Sequence, residues 1–294
     1  MRPTSLLAAL ALGASCLVLA QPATAMQIEG RGGPNDRAKL ECAIGVLSAD
    51  DRGRVRYDSV YNGKVENSLA SKNKLGFDVD AWGEYTDTSK KGVHKLTMTS
   101  VTGQGIRLVT LAIAKGKKIQ LSWTKPTQKF DPVLFTDNYY FYAYTISGSG
   151  DLLRWTWTKY RNGTLKFTDK VVVGQGFGNV TSLQASALYE KNKVWKQPLY
   201  ATTAEGALLQ ITVPLKKPGN ETVKELLPSG YEGVTELSWS ICNNKYEHIA
   251  LAAIDPETGV GTWTTIQDSQ DKPKATLQGE IKGGKGWKGV TALY

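Results

Sequence analysis

Histidine and cysteine are scarce in this chain, with two of the first and three of the second in 294 residues. His94 and His248 stand far apart, and no Cys/His spacing of the zinc type occurs, so no metal centre is expected. A phosphate-cradling P-loop and a Gly-x-Ser-x-Gly nucleophile elbow are also missing. No catalytic residue and no cofactor is assigned. After the first 25 residues no stretch approaches the roughly 20 apolar residues that cross a bilayer, so no membrane insertion is expected. No segment carries the apolar period of an amphipathic helix.

The amino-terminal segment reads as an export signal. Arg2 precedes an apolar run from Leu6 to Ala20, and Ala23-Thr24-Ala25 is a small-x-small cleavage site. Residues 1–25 are therefore expected to be a signal peptide and the mature protein to be extracellular. Residues 26–40, rich in Gly, Arg, Asn and Asp, read as a flexible leader. Formal net charge is +9, of which Arg2 supplies one, leaving +8 on the mature chain. The lysines are scattered, which suits a solvated basic surface better than a nucleic-acid footprint.

From Glu41 onward the chain is β-branched and aromatic residues between Gly, Asn, Asp and Pro turns. One phrase recurs: a glycine turn, an aromatic, two small or polar residues, then Val-Thr-x-Leu. It is clear at Gly174 to Leu183, at Ser229 to Leu237 and at Gly284 to Leu293, and looser at Leu75 to Trp82 and Lys129 to Phe135. The aromatics fall at Phe77, Phe130, Phe177, Tyr231 and Trp287, in steps of 53, 47, 54 and 56 residues. A period of this size marks a solenoid, a propeller or an array. Each unit holds four short strands separated by glycine turns, which is the blade of a β-propeller.

Units start near 78, 131, 178 and 232, while 41–77 contains only second, third and fourth strands. The missing first strand is the terminal Gly289 to Tyr294. Residues 41–77 and 288–294 therefore share a blade, and 41–294 is read as an all-β, five-bladed propeller closed by its C-terminal strand. Val290 to Leu293 should pair beside Ile44 to Leu47. This arrangement sets Cys42 and Cys242 at the same edge of adjoining blades, which invites a disulfide in an exported protein; two free buried thiols are the alternative.

Two sets of residues could carry function. Asp78, Asp131 and Glu232 follow the repeated aromatic, and paired acids are what a glycosidase needs; capping of turns is the commoner role. The aromatics offer flat apolar faces suited to a pyranose, with polar neighbours such as Asn179 to bond hydroxyls. Packing between blades is the competing role for these rings.

Gly-x-Gly-Trp-x-x-Val-x-x-Leu at Gly284 to Leu293, together with Leu199-Tyr200-Ala201-Thr202 and Glu205-Gly206-Ala207-Leu208, resembles the tachylectin family of five-bladed propeller lectins. The likeness spans Glu41 to Tyr294 and is clearest in the last three units. It implies non-enzymatic binding of N-acetylated sugars between blades, at Trp287, Tyr231 and Phe177, with Phe130 and Phe77 in degraded copies. The expected partner is a glycan bound multivalently by a monomer, not nucleic acid. A propeller glycosidase and a protein-binding propeller are the other readings. Asn162, Asn179 and Asn220 begin Asn-x-Thr sequons.

Overall fold

The computed structural model describes residues 41–49, 54–77, 81–90, 92–102, 104–114, 117–127, 129, 134–137, 142–159, 165–243, 245–284, 287 and 291–293. Residues 1–40, Asp78, Phe130, Asp131 and Asn162 lie outside them. All regular structure among the described residues is β-strand.

Five antiparallel sheets follow one another along the chain. Blade one contains β1 (Ala43–Ala49), β2 (Arg54–Tyr61) and β3 (Lys64–Lys74), and blade two β4 (Ala81–Lys90), β5 (Val93–Thr102), β6 (Gly105–Ala114) and β7 (Gln120–Trp123). Blade three holds β8 (Leu134–Asp137), β9 (Tyr142–Ile146), β10 (Leu152–Lys159) and β11 (Leu165–Gly174). Blade four holds β12 (Val180–Ala185), β13 (Tyr189–Lys191), β14 (Val194–Thr203), β15 (Leu208–Pro214) and β16 (Thr222–Leu227). Blade five holds β17 (Glu236–Cys242), β18 (Lys245–Asp255), β19 (Val260–Gln267) and β20 (Lys274–Glu280). The last strand, β21 (Thr291–Leu293), returns to blade one, where Leu293 pairs with Val46 and Ala292 with Leu47. That is the closure expected from the unpaired half-unit.

The inner strands β21, β4, β8, β12 and β17 each lie against the next, and β17 meets β21 to complete the ring. Each boundary between blades has its own apolar core, five in all. Strand direction explains the division. Successive side chains leave a strand on opposite faces, so in β18 Ile249, Leu251 and Ala253 pack toward blade four while Ala250, Ala252 and Ile254 pack toward blade one. The outer strands β3, β16 and β20 are mostly exposed, as strands with one wet face should be.

Cys42 and Cys242 form a disulfide across the blade five–blade one boundary. Both are buried within that boundary's core.

One element departs from the sequence expectation. A unit of four short strands has no place for a fifth, yet in blade four β14 begins at Val194, ahead of Leu199-Tyr200-Ala201-Thr202, and pairs with the extra strand β13. Asn192 and Lys193 both take positive φ, 53° and 61°, which is the pattern of a two-residue hairpin turn. Lysine at the second position hides the turn, because glycine is the usual signal there.

Candidate functional site

In two of the clear copies of the repeat, those of Phe177 and Tyr231, the blade-to-blade loop crosses back over a turn of the blade it has just left. Phe177 N donates to Gly150 O at 2.9 Å, and Tyr231 N donates to Gly206 O at 3.1 Å. Each loop then closes on itself, with Val180 N to Phe177 O and Val234 N to Tyr231 O, both 3.2 Å. Gly206 must be glycine: its φ is +85°, and a side-chain carbon would lie 2.5 Å from Glu232 Cδ.

This folding carries the aromatic inward. Phe177, Tyr231 and Trp287 are 5%, 0% and 0% exposed. Phe177 packs among Tyr144, Leu152, Val180 and Ile211; Tyr231 among Tyr200, Leu208, Val234 and Ile266; Trp287 among Ile44, Val60, Ile254 and Trp263. Where the ring carries a polar atom, the next blade supplies a partner on its third strand. Tyr231 Oη bonds Thr264 Oγ1, and Trp287 Nε1 donates to buried Asp58 Oδ2 at 2.6 Å. Burial pushes the Tyr231 hydroxyl up to about 12, and the Thr264 contact opposes the shift in part. These three rings are wedges between blades. As no face is left to solvent, the expectation that a sugar stacks on them is corrected.

Polar groups of the same loops do reach solvent. Asn179 Nδ2 donates to Glu205 Oε2 at 3.1 Å, and Asn179 O accepts from Ala204 N at 2.9 Å, so Asn179 fastens its loop to the neighbouring turn. Hydrogen bonds from its own backbone, then Thr203, then Asn179, hold the Glu205 carboxyl below its usual range. Glu232 is exposed and accepts from Gly230 N at 3.2 Å. Asp78 and Asp131, its supposed partners, lie outside the described residues. Among the described residues no group of three His, Cys, Asp or Glu could hold a metal ion.

The blade one–blade two boundary is built differently. Phe77 stays partly exposed, and its ring meets Trp123 edge-on, centroids 5.6 Å apart and planes at 76°. Trp123, at the end of β7, is 38% exposed. Arg107, near the start of β6, lays its guanidinium over the Phe77 ring at 4.4 Å from the centroid. That contact adds cation–π attraction to the packing. Trp123 pairs with Val109, two residues beyond Arg107, so all three side chains share the face that looks toward blade one.

Arg107 is almost fully buried, which demands partners for its donors. One amino nitrogen reaches Gln104 Oε1 at 2.7 Å and the other reaches Thr124 O at 3.4 Å, while Nε has no partner. A flat exposed indole, a second ring beside it and a guanidinium with its polar neighbour Gln104 are a set that can bind a molecule with one apolar and one hydroxylated face. Of the sequence candidates, Phe77 belongs to this cluster. Trp123, Arg107 and Gln104 were missed because they fall outside the repeated phrase. An exposed tryptophan on an outer strand was the signal available.

Together these features define the class: a five-bladed, disulfide-closed β-propeller with a ring–guanidinium cluster at one blade boundary. No family model matches the chain, and no curated protein matches it. Among solved structures it is similar to an arginine-to-alanine triple mutant of AofleA from Arthrobotrys oligospora, with 10% identity over 86% of this chain and 74% of that one and a TM-score of 0.41. It is similar also to the SapL1 lectin in complex with alpha methyl fucoside (11% identity, 82% and 83% of the two chains, TM-score 0.38). A third is the catalytic domain of Coprinopsis cinerea GH62 alpha-L-arabinofuranosidase (12% identity, 72% and 74%, TM-score 0.39). Likenesses this slight carry no argument, and the fold rests on the sheets and ring closure given above.

Proposed function

We propose that this protein is an exported carbohydrate-binding propeller that holds a neutral or N-acetylated sugar against Trp123 and Phe77, with Arg107 and Gln104 bonding its hydroxyls. The observation that carries the reading is the exposed Trp123 ring standing beside the partly exposed Phe77 and the guanidinium that covers it. Phe177, Tyr231 and Trp287 serve as wedges, so the number of sites is smaller than the number of repeats. A monomer with few sites binds each sugar weakly, near millimolar affinity or about −4 kcal/mol. The fastened Cys42–Cys242 pair and the export signal read at residues 1–25 agree with work outside the cell. No helix of the described residues is long and apolar enough to cross a membrane.

A glycan array of the protein, followed by titration of its best ligand, tests the proposal. Trp123→Ala should weaken binding at least about tenfold, equivalent to about 1.4 kcal/mol, and leave melting unchanged. Undiminished binding by a folded Trp123→Ala protein would remove the site from consideration. Should the glycan be cleaved, and cleavage vanish in Asp78→Asn, the protein is a hydrolase instead.

A further inference from the structure

The hairpin missed in the sequence opens a second surface, away from the Trp123 cluster. In blades two to five the first-to-second and third-to-fourth connections leave the sheet opposite to the second-to-third turns and blade-to-blade loops, because antiparallel strands alternate in direction. The described second-to-third turns and blade loops carry acids, among them Asp151, Glu205, Glu232, Asp255 and Glu257. On blade four the opposite connections carry Lys193, Lys216 and Lys217 together with Glu190 and Glu221, a net positive charge.

The β13–β14 hairpin presents Lys193 at its tip, held in a left-handed conformation with φ 61°. Trp195 follows on the same hairpin and is 45% exposed. Leu215 N donates to Trp195 O at 2.9 Å, and this bond sets the exposed Lys216 and Lys217 beside the hairpin. Lys217 also bonds through its backbone N to Pro214 O and through its O to Asn220 N, so the turn is ordered by its own main chain. The tip is braced toward blade five by the ion pair of Lys191 with Asp271. The result is an exposed indole, paired across the hairpin with the exposed Glu190, with three exposed lysines on the two adjoining turns.

We infer that this surface binds an anionic polysaccharide, carboxylated or sulfated, with a sugar ring over Trp195 and its acid groups against Lys193, Lys216 and Lys217. Aromatic faces take the C–H side of a pyranose, and close-set ammonium groups attract fixed negative charge. The Cys42–Cys242 disulfide favours a glycan over a nucleic acid, since such bonds are typical of proteins in oxidising compartments.

The test is binding of the mature protein to immobilised heparin at several salt concentrations, with uncharged dextran and single-stranded oligothymidylate alongside. The triple variant Lys193→Gln, Lys216→Gln, Lys217→Gln should bind heparin roughly tenfold more weakly at low salt and show a flatter salt dependence. Trp195→Ala should weaken heparin binding with little change in that dependence, and both variants should melt as wild type does. Dextran should not bind at this surface. Trp123→Ala should leave heparin binding intact, so failure here and failure of the neutral-sugar site give different results. Unchanged heparin binding by the triple variant overturns the proposal, as does tighter binding of oligothymidylate than of heparin.

Discussion

The blade five–blade one boundary and the blade one–blade two boundary carry the same repeated phrase and have opposite interiors. At the first, Trp287 is wholly enclosed and its indole N–H is spent on Asp58. At the second, Phe77 stays partly exposed and its neighbours are Trp123 and Arg107. Phenylalanine offers no donor, and the flanking glycines of the clear copies are reduced to Gly76. The contrast teaches that a repeated aromatic can be an internal fastener in one copy and stay partly open to solvent in another. What differs is the covering supplied by the two blades.

Breaking the enclosed boundary should have the largest effects. Loss of the disulfide in Cys242→Ala should lower stability by roughly 5 kcal/mol if the loop-entropy argument holds for a separation of 200 residues. Chemical denaturation of the variant under oxidising conditions checks this. Trp287→Ala should cost about 3–5 kcal/mol, as large aromatic truncations do. Trp287→Phe should cost less but still more than a volume change alone, because Asp58 would lose a buried donor, worth about 1–3 kcal/mol. Equal melting of Trp287→Phe and wild type would show that the Asp58 bond is dispensable.

Glu236 sharpens the contrast through pH. It pairs with Ile254, so its side chain leaves β17 on the face that carries the Trp287 core. It keeps some accessible surface as a residue, yet protein surrounds its carboxyl and burial pushes its pKa up to about 8. The folded chain therefore holds a proton that the unfolded chain releases near its usual 4.5. The penalty on folding grows as pH rises above that value and levels off above about 8. Glu236→Gln should accordingly be more stable than wild type at alkaline pH and equal to it in acid. A difference between the two proteins that does not vary with pH would contradict this.

Smaller effects come next. Tyr231→Phe removes the bond to Thr264 and should cost about 1 kcal/mol, measured by urea unfolding. Trp123→Ala, at the open boundary, should change stability by no more than about 0.5 kcal/mol while weakening sugar binding. Reversal of that ranking, with Trp123→Ala the less stable of the two, would make the open cluster a structural one.

Much of the architecture could be read from residues alone. Glycine turns and β-branched runs marked the strands, and the unmatched half-units at 41–77 and 288–294 implied closure, which β21 performs beside β1. The Cys42–Cys242 bond followed from the same argument. Burial of the rings was not legible, because it depends on distant partners: Asp58 lies 229 residues from Trp287. The Arg107–Trp123–Phe77 cluster was hidden for a similar reason. Three elements bring it together, and only one of them carries the repeated phrase. The Asn192–Lys193 turn was hidden by chemistry, since lysine stands at positive φ where glycine would be the usual signal.

The disulfide has a mechanical consequence. Tension applied between Glu41 and Leu293 would pass from Cys42 straight into Cys242 and on through β18 to β21, leaving the strands between the two cysteines unloaded. The three-residue β21 could be peeled away under such a pull while four intact blades stayed tethered behind the covalent link. A protease that nicked an exposed turn of blades two to four would likewise leave its fragments joined, held by the half-cystine at each end.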